Sequence, residues 1–399
     1  MSRFNETNFA AVDAFGRGRV SEPTTLFDSQ LQYNAQPLLW YDVGDGTAAH
    51  VAAKSAVQLT VTAGQSIMRQ SRAYHRYQPG KSQMILLTGV LGAATSGVTK
   101  RIGYFDDDNG IFFELTSAGL GIVKRSKVTG SVVDTRIEQA DWNMTWLDGD
   151  AKTLAASIDP TKAQIFVIDL EWLGVGRVRC GFVVDGWIFY VHEFNHANVI
   201  STVYMQTANL PVRYSMSSTT GAASDMYQIC CTVVSEGGFR DDLGIPHSAS
   251  NGATGITVSS RRSILNIRPK ATFNSIVNRG QIVPEQIDIY VTTAPAYYEI
   301  IYGGTLGGSP SYTSAGDNSI VEYDVAGTTV TGGEVLDTGF VVTSGTGVTA
   351  RGNVSAGLLS KLPLVLDKAG ANPINLAVVI TGIGGNPVAR ASITWREMY

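Results

Sequence analysis

Asp185-Gly186 stands between two strand-like runs, Arg177 to Val184 and Trp187 to Phe194. Asp-Gly between hydrophobic runs is a strong hairpin signal, because both turn residues must accept positive φ. The second run opens Trp187-Ile188-Phe189-Tyr190-Val191, aromatic and β-branched residues that suit a pleated surface better than a helix. It closes on His192-Glu193-Phe194-Asn195-His196, which matches the H-E-x-x-H zinc signature letter for letter. That chemistry needs both histidines on one helical face, with the glutamate beside a metal-bound water. On a strand the imidazoles stand roughly 13 Å apart and cannot share an ion. A third ligand is also missing, since the extended metzincin pattern would place glycine and histidine where Val199 and Thr202 stand. The hairpin reading therefore predicts a silent motif, no metal, no cofactor and no enzyme.

The same punctuation continues along the chain. Runs such as Ser82 to Gly92, Arg101 to Phe105, Gly110 to Leu115, Gln164 to Leu173 and Met226 to Val234 are separated by turn residues. The hairpin signal between the second and third runs is Asn109-Gly110. About ten short strands without βαβ alternation point to an all-β fold, an antiparallel β-sandwich of jelly-roll or lectin type. Four segments follow: an N-terminal arm over 1–55, the sandwich over 56–238, a basic connector over 239–284 and a smaller β-domain over 285–399. Phe4, Phe9, Phe15, Phe27 and Trp40 lie in the arm without a period, and Ala48 to Val57 is the best helix candidate. Such an arm is expected to pack on its own body or on a neighbour.

Charged residues are only 16% of the chain and the net charge is −4, which argues against general nucleic-acid binding. The charge is lopsided, however. Arg261, Arg262, Arg268, Lys270 and Arg279 fall in a stretch without acids, whereas residues 280–350 hold eight acids and no base. Complementary faces, within a subunit or between subunits, are one reading; two solvated faces are the other. Cys180, Cys230 and Cys231 form neither a redox pair nor a zinc knuckle and read as small buried residues of a reducing cytoplasm. No signal-peptide core or membrane-length apolar run is visible, so a soluble, unexported chain is expected.

Three weaker motifs have plain alternatives. Asp106-Asp107-Asp108-Asn109-Gly110 invites calcium, but its spacing departs from the helix-loop-helix calcium loop and a hairpin tip explains it. Gln78-Pro79-Gly80-Lys81-Ser82 contains the tail of a phosphate loop, but His75 stands where its first glycine belongs, so it reads as a turn. Trp142 and Trp146 sit in a loop-like segment and could stack on a host glycan, while Trp172 and Trp187 lie in strand runs and read as core.

Phe15-Gly16-Arg17-Gly18-Arg19-Val20-Ser21-Glu22-Pro23 resembles the opening of a widespread, poorly characterised family of tailed-phage virion proteins. Tyr77 to Gln83, Arg101 to Asp106, Gly110 to Glu114, Glu171 to Arg179 and Arg268 to Ala271 resemble that family too, so the likeness covers roughly residues 15–280. The last hundred or so residues match nothing nameable. The resemblance implies a structural component of the head or tail, assembled in the host cytoplasm, that contacts other virion proteins as a homo-oligomer, a trimer among the admissible states. It brings no catalytic residue, no membrane and no specific nucleic acid. Phe4, Phe9, Phe15, Arg17, Arg19, Phe27, Trp40, Arg261, Arg262 and Arg268 are the expected assembly contacts. A host-glycan-binding module using Trp142 and Trp146 is the alternative.

Overall fold

The computed structural model describes residues 12–14, 18, 22–144, 158–219, 222–237, 244–343, 362 and 364–399. Two units divide the chain, Met1–Arg240 and Asp241–Tyr399. The first unit begins with β1 (Thr24–Gln30), β2 (Trp40–Gly44), β3 (Thr47–Val51), β4 (Ala56–Val61) and β5 (Ser66–Ser71). β6 (Gln83–Val90), β7 (Val98–Phe105), β8 (Gly110–Thr116), β9 (Gly119–Ser126) and β10 (Val133–Glu138) follow. β11 (Gln164–Leu170), β12 (Val178–Val184), β13 (Trp187–Phe194), β14 (Val212–Ser218) and β15 (Ser224–Ser235) complete it.

One sheet runs β13-β12-β11-β6-β15-β4-β3 with β1 also paired to β15, and the other runs β10-β9-β8-β7-β14-β5-β2. Strands alternate because one residue in two is apolar and faces the gap between sheets. Ile85, Leu87, Phe166, Ile168 and Phe182 of the first sheet meet Ile102, Ile111, Phe113, Ile122 and Tyr214 of the second. Rings of Phe113 and Phe166 lie 5.0 Å apart across that gap. This is an antiparallel β-sandwich of jelly-roll, lectin-like type. The hairpin at Asp185-Gly186 has φ of 49° and 82°, the two positive values that the turn requires.

The second unit holds β16 (Ile245–Ser250), β17 (Ile256–Thr257), β18 (Arg262–Pro269), β19 (Thr272–Phe273), β20 (Ile276–Val277), β21 (Gln281–Thr292) and β22 (Ala296–Tyr302). Its remaining strands are β23 (Thr305–Gly307), β24 (Thr313–Ser314), β25 (Val321–Asp324), β26 (Thr329–Thr331), β27 (Glu334–Val341), β28 (Leu376–Gly382) and β29 (Val388–Met398). A sheet in the order β24-β25-β18-β28-β22-β27 packs with a smaller one in which β29 lies between β21 and the pair β16, β17. Ile264, Ile267, Ile287, Ile300, Val378 and Trp395 fill its core. Trp395 is thus docked near the end of the sequence.

The arm is shorter than the sequence suggests. β1, β2 and β3 belong to the sandwich, and only the residues ahead of Thr24 precede it. β1 carries a register shift between Thr25 and Phe27, which removes the period-two signal. Ala48 to Val57 is no helix: β3, a 3-10 turn at Ala52–Lys54 and the start of β4 occupy it. Pairing of Ala48 with Leu59 and of His50 with Val57 overrides alanine's helix preference. The basic stretch 239–284 contains β18, whose Ile264, Leu265 and Ile267 are fully buried in the second core. Its flanking arginines mask a short core strand.

Asn109-Gly110 is not the turn centre either. Phe105 pairs with Gly110, so Asp106 to Asn109 form the loop. Gln78-Pro79-Gly80-Lys81 is a turn as expected: φ is 87° at Gly80 and the Lys81 amide donates to the Gln78 carbonyl at 3.1 Å. Cys180 and Cys231 are buried and Cys230 is half-buried, all as free thiols. Among the described residues no helix is long and apolar enough to cross a membrane.

β13 lies at the margin of its sheet, and its outer rim is covered. The Asn143 amide donates to the Glu193 carbonyl at 3.0 Å and accepts the Glu193 N–H at 2.9 Å. Beside it the Met144 N–H donates to the Val191 carbonyl at 3.2 Å.

Candidate functional site

Cross-strand register places Glu193, Arg179, Asp169, Met84, Val234 and Thr25 in one row on the outward face of the first sheet. Tyr190, Gly181, Val167, Leu86, Thr232 and Asp28 form the next row, and Ile188, Val183, Ile165, Thr88, Cys230 and Gln30 the third. Met144 packs against Val167 and Tyr190 there, with half-buried Met84, Leu86, Val183 and Ile188 around them. Apolar rows on an outward face call for a cover or a partner.

The outward face of the second sheet is different in kind. Arg101 and Arg136 both pair with Glu114, at 2.7 and 3.0 Å, and Arg125 pairs with Asp134 at 2.8 Å. The guanidiniums of Arg101 and Arg125 lie 5.4 and 5.2 Å from the Phe112 ring, so charge roofs the aromatic layer beneath. That face is closed by its own side chains.

At the charged end of the first sheet, two arginines grip the N-terminal segment. Arg177 Nε donates to the Ala14 carbonyl at 2.6 Å and Nη2 to the Asp13 carbonyl at 3.4 Å. Arg179 Nη2 donates to the Val12 carbonyl at 2.6 Å and also pairs with Asp169. The Tyr190 hydroxyl donates to Asp169 at 2.9 Å, its ring lies 4.2 Å from the Arg179 guanidinium, and Glu193 sits 3.4 Å from Arg177. Arg179 and Asp169 are completely buried, and a buried charge persists only where it is matched in this way. Val12 pairs with Gly18 in an isolated antiparallel bridge.

The zinc-like motif begins on strand β13 and runs past its end, with His192, Glu193 and Phe194 in the strand and His196 beyond it. A register shift opposite Cys180 inserts Val191, which sends Val191 and His192 inward while Glu193 points outward. His192 sits with its ring 4.6 Å from Phe194. His196 Nδ1 donates to the Gly176 carbonyl at 2.7 Å, and Nε2 receives the Lys124 ammonium at 3.2 Å. Its ring stacks on Tyr204 at 4.0 Å. Burial lowers the His192 and His196 imidazoles to about 4. Among the described residues no group of three or more histidine, cysteine, aspartate or glutamate side chains could hold a metal ion.

Several expected contacts are elsewhere than the sequence implies. Phe27 (8% exposed) and Trp40 (1%) are core residues, 5.7 Å apart, and cannot meet a neighbour. Arg261 pairs with Glu299 and Arg268 with Glu322, both at 2.7 Å, while Arg262 Nε donates to the Ser263 carbonyl at 3.1 Å. The basic and acidic stretches thus complement each other inside the second unit, because β18 lies beside β25 and one strand from β22. Trp142 is 2% exposed and packs 6.1 Å from Phe182, which removes it as a sugar platform. Phe4, Phe9, Phe15, Arg17, Arg19 and Trp146 lie outside the described residues. At the Asp106 loop, Asp107 pairs with Arg213 at 2.6 Å and Asp108 with Lys127 at 3.0 Å, while Asp106 accepts the Asp108 and Asn109 amides at 2.8 Å. Its acids are neutralised by the chain itself.

Two features escaped the sequence reading. Trp187, expected in the core, is 72% exposed at the hairpin tip. The Arg177–Arg179 cradle was visible only as two arginines two apart in an apolar run, a spacing that puts both on one face of a strand.

No family model and no curated protein matches the chain. Solved structures with a similar fold include a glycoside hydrolase family protein from Mycobacterium thermorestibile, 12% identical over 52% of this chain and 99% of that one, with a TM-score of 0.37. A beta-1,3-glucanase from Mycobacterium marinum is 12% identical over 53% of this chain and 98% of its own, with a TM-score of 0.35. The Emp47p carbohydrate recognition domain is 7% identical over 55% and 99%, with a TM-score of 0.34. At such identities the likeness is one of fold. The expectation that the chain is not an enzyme is nonetheless corrected, since sandwiches named as glycoside hydrolases and a glucanase stand among these structures.

Proposed function

We propose that the chain is a structural component of a tailed-phage particle, in the head or the tail, and that the outward face of its first sheet joins it to neighbouring subunits. The contrast between the two outward faces carries this reading: charge roofs one, whereas the other keeps Met84, Leu86, Val183 and Ile188 half-buried and Ile165 exposed around its own buried Met144–Val167–Tyr190 cluster. Support also comes from where the family-like segments lie. Tyr77 donates to Glu171 at 2.6 Å and Arg101 pairs with Glu114 at 2.7 Å, so segments distant in sequence brace one another in the sandwich. Particles purified from infected cells should contain the chain in fixed stoichiometry, located by electron microscopy with a bound antibody fragment. Its absence from washed particles would overturn the proposal.

One observation favours glycan binding as a second reading. Trp187 presents a bare indole beside the exposed carboxylate of Asp185, a pairing that suits a sugar's apolar face and its hydroxyls. If so, the full chain binds a subset of a glycan array, and Trp187→Ala weakens that binding by about tenfold, equivalent to about 1.4 kcal/mol. Equal binding by the variant sinks this reading.

A further inference from the structure

We propose that β27 is a self-association edge, pairing antiparallel across a two-fold axis with β27 of a second copy of this chain. The inference goes beyond the assembly reading, because it concerns the second unit and holds whether or not the chain occurs in particles. β27 stands last in its sheet, paired with β22 on one side and, among the described residues, with no strand on the other. A strand margin left open in this way is a template for another extended chain. Several other margins carry guards. Asn143 covers β13, Pro246 and Pro284 stand in β16 and β21, and β24 is two residues long. β27 contains neither proline nor lysine.

Its residues also fit a copy of themselves. A bulge at Leu336 interrupts the half next to Glu334, since Ile300 pairs with Asp337 but Ile301 with Val335. From Asp337 to Thr343 the alternation is regular: Thr338, Phe340 and Val342 are exposed, while Val341 is buried in the core. Phe340 is 75% and Val342 55% exposed, and the Tyr297 ring lies 5.5 Å from that of Phe340. Large apolar groups this bare on a strand margin call for cover. A two-fold axis normal to the sheet opposes residues of the same face, so it passes through a residue position and not between two. Phe340 is the middle residue of the regular stretch 337–343. Centred there, Phe340 opposes itself, Thr338 opposes Val342, Gly339 opposes Val341 and Asp337 opposes Thr343. No acid then faces an acid, as it would with the axis at Asp337. The acids nearby are held within the unit: Asp337 accepts the Tyr298 hydroxyl at 3.1 Å, and Glu299 pairs with Arg261 at 2.7 Å. One patch thus serves both copies, which is what a two-fold contact requires.

A single strand pair is small for an interface, so association is weak and concentration-dependent. Analytical ultracentrifugation of the full chain should show its mass moving from one copy towards two between about 1 and about 100 μM. F340K and F340E each set like charges against one another across the axis and should weaken association by about tenfold or more. An equimolar mixture of the two variants should recover two-copy mass, because lysine then opposes glutamate. Circular dichroism checks that both variants keep the native fold. Association through the outward face of the first sheet would survive both substitutions, so the two interfaces are told apart. A native chain that keeps one-copy mass throughout overturns the proposal. So does association unchanged in F340K, or a mixture that behaves like either variant alone.

Discussion

Removing residues 1–40 should leave the first unit unable to fold, whereas removing residues 1–11 should leave it intact. The longer deletion takes β1, the fully buried Leu31 and Trp40, and the Trp40 indole N–H that donates to the Ser29 hydroxyl at 2.8 Å. Large apolar side chains lost from a core cost about 2–5 kcal/mol each, and a domain's whole stability is only about 5–15 kcal/mol. The edge of β15 from Cys230 to Ser235 would also be stripped of its partner. Far-ultraviolet circular dichroism and solubility after expression check this. A soluble, cooperatively melting Δ1–40 protein would mean that β1 is dispensable.

Acid should destabilise the first unit by several kcal/mol between pH 6.5 and 4. Burial lowers His75 to about 3 and His192 and His196 to about 4, all below the ordinary histidine value near 6.5. Below pH 6.5 the unfolded chain binds protons that the folded one refuses. The stability these imidazoles contribute is therefore complete above pH 6.5 and is lost progressively as the pH falls towards 4. At pH 4.5 each costs about 2–3 kcal/mol. Protonated His196 would also meet the Lys124 ammonium at 3.2 Å. Melting followed from pH 7.5 to 4.5 should show the first unit's transition falling steeply, and His196→Gln should flatten part of the slope. A transition unmoved across that range would mean that the three rings take up protons in the fold as readily as in the unfolded chain.

The strand-rich architecture was legible because its turns are local. Asp185-Gly186 and Pro79-Gly80 announce themselves within four residues, since φ is a property of the residue itself. Exposure was less legible. Trp142 looked like a loop residue and is core, while Trp187 looked like core and is bare, because a two-residue turn carries the end of a strand past its neighbours. The cradle was the least legible feature. Arg177 and its Ala14 acceptor are 163 positions apart, and nothing local to either names the other. Phe27 hides behind a bulge, and β18 behind its flanking arginines.

Asn143 has a further consequence. A bare strand margin recruits any extended chain of whatever sequence, which is how crowded β-proteins run into open-ended fibrils. By imitating one residue of a ninth strand, this single amide stops the ladder at Glu193. Replacing it with alanine would leave the Glu193 N–H and carbonyl open to another extended chain.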